Sequence, residues 1–140
     1  MVREVRKEIS PKEVERSAIE MELVRQRMQE LEQHLVMLET RIQELEVIKS
    51  ALESLEADRD ALIPIGPGVL VKGKILDKEK VLMEVGANFV IEKDVEGAKE
   101  TIERSQEKIE KAMLSMKAEL ADLYDRMREI EQILLQYYGG

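Results

Sequence analysis

"ALIPIGPGVLVKGKILDKEKVLMEVGANFVIEKD", residues 61–94, holds four of the chain's seven glycines and two of its three prolines. Valine and isoleucine crowd it, and its five lysines balance its five carboxylates. The stretch reads as four short strands. "LIPI" is the first, ended by Gly66-Pro67-Gly68. "GVLVKGKIL" alternates, with Val69, Val71 and Ile75 on one face and Lys72 and Lys74 on the other. Asp77 to Lys80 is a polar turn. "VLMEV" then sets Val81, Met83 and Val85 opposite Glu84, and Gly86-Ala87-Asn88 turns the chain into "FVIEK". Gly73 in mid-strand predicts a bend or bulge.

The flanks are different. Ser10-Pro11-Lys12-Glu13 is a helix start: Ser10 caps, Pro11 suits the first helical position and Glu13 completes a capping box. No glycine or proline follows until after Ile63. Met21, Met28, Leu35 and Ile42 recur every seven residues, and Val24, Leu31, Leu38 and Leu45 follow three places behind. That is an a/d seam. Past Leu45 the apolar stripe steps to Ile48, Leu52, Leu55 and Leu62, a three-residue slip that leaves Lys49 where an apolar residue would stand.

The second helix is expected from a cap at Asp94 to Tyr138. Its stripe is Ala98, Ile102, Ile109, Met113, Met116, Leu120, Leu123, Met127, Ile130, Leu134 and Tyr137, with a slip between Ser105 and Met113. Each helix would run roughly 65 to 75 Å at 1.5 Å per residue.

Neither helix buries its stripe alone. Parallel dimerisation between chains is one solution. A hairpin closed through the strand insert is the other, and the matched helix lengths favour it. The fold class is therefore α+β, mainly α. It is a long antiparallel two-helix coiled coil (residues 1–63 and 94–140) joined by a four-stranded β insert (64–93). Short strands with open edges and one apolar face are an aggregation hazard in a single chain. They are expected to pair with other subunits, closing an intersubunit barrel. The assembly residues are then Ile65, Val69, Val71, Ile75, Val81, Met83, Val85, Phe89 and Ile91.

Composition excludes several function classes. Of the 140 residues 37% are charged and only 3% aromatic, and the net charge is −8. Since the insert is neutral, the acidic excess lies on the helical flanks, which repel nucleic-acid phosphates and suit an anionic membrane poorly. Cysteine is absent, so disulfides and thiolate metal sites are out. No apolar run approaches the roughly 20 residues of a membrane span. "MVREVRKEIS" has no apolar core like that of a signal peptide, so a cytoplasmic protein is expected. Abundant Lys, Glu and Arg beside a single asparagine, Asn88, points to a thermophilic source.

Catalysis finds no support. His34 is the sole histidine and sits beside the seam on a solvated flank. The carboxylates fall at helical spacing from Lys and Arg, as surface pairs do. "GPGVLVKGK" lacks the Gly-Lys-Ser/Thr ending and the following helix of a phosphate loop. No enzyme, metal or cofactor is expected.

Taken together, the long first helix, "PIGPGVLVKGKI…KVLMEVGANFVIEK" and a second helix of matching length resemble the alpha-class subunits of the prefoldin family, above all the archaeal form. The resemblance spans about Pro11 to Tyr138, and its most specific part is the four strands with Gly-Ala-Asn before the last. It implies an ATP-independent holdase built as a hexamer of two alpha and four beta subunits. In such a hexamer strands form two barrels and six coiled-coil arms hold unfolded clients for a group II chaperonin. The filament-forming gamma prefoldin shares this plan and is the alternative.

A holdase needs apolar surface that pairing does not consume. "IEQILLQYY" carries more apolar residues than one seam hides, and Met1, Val2, Val5 and Ile9 lie at the other terminus. In an antiparallel hairpin these sets meet at the open tip. The candidate client-binding residues are Met1, Val2, Val5, Ile9, Ile130, Ile133, Leu134, Leu135, Tyr137 and Tyr138. Two readings stay open for Ile133, Leu135 and Tyr138: client contact, or thickening of the last helix layers. The seam methionines Met21, Met28, Met113, Met116 and Met127 read as coiled-coil core rather than as adaptable binding surface.

Overall fold

A computed structural model of the chain describes residues 9–139. Helix α1 runs Pro11–Glu53, and four strands follow: β1 Asp60–Gly66, β2 Val69–Lys74, β3 Lys80–Glu84 and β4 Val90–Asp94. Helix α2 completes the order at Val95–Tyr138. The chain divides into two compact units: residues up to Leu38 with those from Lys111 onward, and Glu39–Glu110.

The helix starts follow their local chemistry. The Glu13 N–H donates to Ser10 Oγ at 3.2 Å, and the Gly97 N–H donates to Asp94 Oδ1 at 2.6 Å. Each bond satisfies one of the donors that a helix N-terminus leaves unpaired.

In the first unit α1 and α2 pair antiparallel. Arg27 Nε and Nη2 donate to Glu119 at 2.9 and 3.0 Å, and Arg126 Nη2 donates to Glu20 at 2.8 Å. The two bridges have opposite order, basic on α1 in one and acidic in the other. A one-heptad slip would bring Arg27 to Arg126, or Glu20 to Glu119, so the pairs specify register. Val24, Leu31, Met113 and Ile130 are buried between these flanks.

Arg126 holds the Glu20 carboxyl below its ordinary value, chiefly by hydrogen bonding, and Arg27 does the same to Glu119. A depressed carboxyl stabilises the folded state above its unfolded value of 4.5, and the contribution is lost as pH falls through the lower folded value. Helix unfolding followed by circular dichroism should therefore show stability falling below pH 4.5, and less steeply in a Glu20→Gln, Glu119→Gln chain. Equal slopes in the two chains would remove this account.

In the second unit the pairing is again antiparallel. Gln106 Nε2 donates to Glu46 at 3.0 Å, Lys49 Nζ lies 3.9 Å from Glu103, and Lys99 Nζ lies 3.3 Å from Glu53. The expected slip after Leu45 is absent. Ile48 is exposed and Lys49 is half-buried, so the seam continues through Ile42, Leu45, Lys49 and Leu52. The lysine stem takes the core place while its amino group reaches Glu46 at 3.4 Å. On α2 the slip is real: half-buried Ser105 and buried Gln106 share one seam position.

Helix α1 stops ten residues before Ile63. The Ser54 N–H bonds back to the Ala51 carbonyl at 3.2 Å, tightening the last turn. Asp58 then takes the left-handed conformation (φ 61°) and donates its N–H to the Ile75 carbonyl at 2.8 Å. Aspartate tolerates that geometry better than most residues. Leu62 therefore belongs to β1 and is exposed rather than part of the helical stripe.

The four strands do not form one sheet. β1 pairs with β2 and β3 with β4, as two antiparallel hairpins. The bulge falls between Pro64 and Gly66 in β1, not at Gly73. Gly73 has another reason: a Cβ there would run into Ile63 Cδ1, so the glycine makes room for that side chain. At the second turn Gly86, Ala87 and Asn88 all have positive φ. The Val85 N–H to Phe89 carbonyl bond, 2.9 Å, closes the turn.

Candidate functional site

Among the described residues, two groups of exposed apolar side chains fall where the sequence placed assembly and client contact. The first is the strand pair of hairpins. Among the described residues each strand has one free edge, since β1 pairs with β2 alone and β3 with β4 alone. Phe89 is 70% and Ile65 66% exposed, and Val69, Val71, Val85 and Ile91 are exposed as well. Ile75, Val81 and Met83 are half-buried. Leu70, Leu76, Leu82 and Val90, outside the expected assembly set, are exposed as well, and so is Leu62, which the sequence placed on the helical stripe. Leu70 shares the face of Lys72 and Lys74, and Leu82 that of Glu84.

The second place is the end of α2. Leu135 is 68% and Tyr138 75% exposed, Tyr137 is exposed, and Ile133 and Leu134 are half-buried. The Tyr137 and Tyr138 rings meet edge to face, centroids 5.1 Å apart. Ile130 does not belong to this surface. It has no exposed area, because it fills a seam position in the turn that the Glu20–Arg126 bridge sets level with buried Ser17. From the other terminus Ile9 is half-buried, while Met1, Val2 and Val5 lie outside the described residues.

The seam methionines are all buried or half-buried, as core residues should be. Outer-face residues Ile19, Leu23, Val36, Met37, Val47 and Leu114 are exposed, and no sequence argument singled them out. In heptad terms the first two and Met37 and Val47 occupy c and f places, which a seam-based reading passes over. An open groove beside the first unit's seam is lined by Met28, Ala121, Tyr124 and Arg128. Tyr124 donates its hydroxyl to Glu32 at 2.8 Å, a bond that pushes its ionisation upward.

Among the described residues no cluster of His, Asp or Glu could hold a metal ion. No helix among them is long and apolar enough to cross a membrane. His34 is exposed.

Two heptad helices that pair antiparallel within each unit, with two antiparallel strand hairpins between them in the chain, define a mainly helical coiled-coil protein with a β insert. The chain belongs to the prefoldin family: the family model "Prefoldin subunit" matches residues 24–140. It is 29% identical over 123 residues to "Prefoldin subunit alpha" of Pyrococcus horikoshii, an alignment covering 85% of this chain and 83% of that one. It is 31% identical over 120 residues to the protein of the same name from Thermofilum pendens, covering 84% of this chain and 93% of that one. Among solved structures, a filamentous prefoldin from Methanocaldococcus jannaschii superposes with a TM-score of 0.56 at 26% identity. That superposition covers 85% of this chain and 95% of the other. Prefoldins are non-enzymatic chaperones, so family membership assigns a chaperone-type role.

Proposed function

We propose that the chain is the alpha-type subunit of an ATP-independent holdase, working in the cytoplasm. Its strand hairpins join beta-class subunits in a hexamer of two alpha and four beta chains, closing barrels through the free strand edges. Its arm holds unfolded proteins and passes them to a group II chaperonin. The observation that carries the holdase reading is the exposed Leu135, Tyr137 and Tyr138 beyond the last buried seam residue, Ile130. Weak apolar contacts on several arms add to a strong total by avidity, with no fixed pocket. The acidic flanks keep a loaded complex soluble.

The test separates binding from assembly. A chain with Leu135→Ser and Tyr138→Ser, mixed with a beta-class subunit, should give an assembly of unchanged mass. Its protection of a chemically unfolded client from aggregation should fall about tenfold in the concentration needed. Full protection by the variant assembly would remove the α2 end as client surface. Ile130 is left intact so that the seam is not disturbed.

A second reading is favoured by one observation, the superposition on a prefoldin described as filamentous. On that reading the strands join copies of this chain into a polymer. Light scattering behind a sizing column distinguishes them: a discrete hexamer formed only in the mixture supports the alpha reading, and long polymers of the chain alone support the filament.

A further inference from the structure

The outward faces of the two hairpins match in shape of pattern and oppose in charge. In β1–β2 one face carries the cross-strand pairs Asp60–Lys74, Leu62–Lys72 and Pro64–Leu70. In β3–β4 the corresponding face carries Lys80–Asp94, Leu82–Glu92 and Glu84–Val90. Each hairpin thus begins with an acid–base pair, in inverted order, and follows it with a leucine. Beside Leu62 stands a lysine; beside Leu82 stands a glutamate. The first face has one net positive charge, two lysines against Asp60. The second has two net negative charges, Lys80 against Glu84, Glu92 and Asp94.

All twelve residues are exposed, with Leu62 and Leu82 at 64% and 73%. Lys72, Lys74, Glu84 and Glu92 make no ion pair with another described residue. Their charge is not consumed by the described residues.

We propose that the basic β1–β2 hairpin of one copy docks on the acidic β3–β4 hairpin of a second copy, selected by this inverted charge. The proposal rests on the reading that the strands are the assembly surface. Opposite charges across paired strands are favourable and like charges directly opposite are not. A hairpin meeting its own counterpart would set lysines against lysines or glutamates against glutamates. Each copy therefore has one donor hairpin and one acceptor hairpin, a head-to-tail arrangement that closes as a ring or grows as an open chain. A different subunit would enter the same joint only with a hairpin of matching sign.

The test uses full-length chains at low ionic strength, where such contacts are least screened. One variant carries Lys72→Glu and Lys74→Glu, the other Glu84→Lys and Glu92→Lys. The wild-type chain should associate with rising concentration. Each variant alone should associate about tenfold more weakly, since two attractive pairs become repulsive. An equimolar mixture of the two should regain wild-type size, because one then has two acidic hairpins and the other two basic ones. A wild-type chain that stays single, variants that associate normally, or a mixture that fails to recover would each overturn the charge code. An Ile65→Ser, Phe89→Ser chain separates the two levels. If it dissociates while the charge variants do not, the strands remain the joint and only the code is lost. If none of these changes alters the mass, the strand reading falls as well.

Discussion

A chain carrying Ile65→Ser, Val69→Ser and Phe89→Ser should elute as a single 16.2 kDa species, with its helix content unchanged. All three side chains are more than half exposed in the isolated chain, so they contribute little to its own stability. In the assembly proposed above they become covered. Full burial of a large apolar side chain is worth about 1.5 to 3 kcal/mol, and about half to two-thirds of each remains to be gained. Three of them supply about 3 to 6 kcal/mol, or roughly a hundred- to ten-thousand-fold in association. Light scattering at fixed concentration reads the outcome. A variant that keeps the assembled mass would move the joint away from the strands.

Ile130→Ala should be the most damaging single change in the first unit. The side chain is fully buried, and truncation leaves a cavity that helices locked by flanking salt bridges cannot collapse into. Large-to-small changes of this kind cost about 2 to 5 kcal/mol. Ile133→Ala, at a half-buried position one turn further on, should cost clearly less. Urea unfolding followed by helix signal orders the two. An equal or reversed order would contradict the burial of Ile130 in the seam and keep it among the candidate client-binding residues.

Much of this architecture is written in local chemistry. Ser10 and Asp94 mark the helix starts, Gly66-Pro67-Gly68 and Gly86-Ala87-Asn88 mark the hairpin turns, and the a/d seam marks the paired faces. Each is a short-range signal, readable without knowing what lies across the fold. The misreadings share the opposite character. Lys49 fills a seam place because its stem is apolar and its amino group finds Glu46 and Glu103, the second of which lies on the other helix. Residue type alone does not reveal that. Helix α1 ends early because Asp58 and Arg59 are drawn into bonds with Ile75, seventeen and sixteen places downstream. Gly73 looks like a bend in sequence and is a clearance for Ile63 in space. Ile130 is a partial exception: its spacing already put it on the α2 stripe, and the register set by Glu20 and Arg126 brings that stripe position into the seam, away from the exposed end.

The two joints between helix and strand are unequal. Strand β4 ends at Asp94 and α2 begins at Val95, with no residue between. The Val95 N–H still bonds the Glu79 carbonyl at 2.9 Å, so the first helical residue also belongs to the ladder of the second hairpin. Helix α1 instead reaches β1 through residues 54–59. Mechanically, α2 is a lever welded to its hairpin, and α1 is tied to its own by a tether. A sideways pull on the start of α2 is delivered as torque to β3–β4, whereas the same pull on the end of α1 is first taken up in the six-residue link.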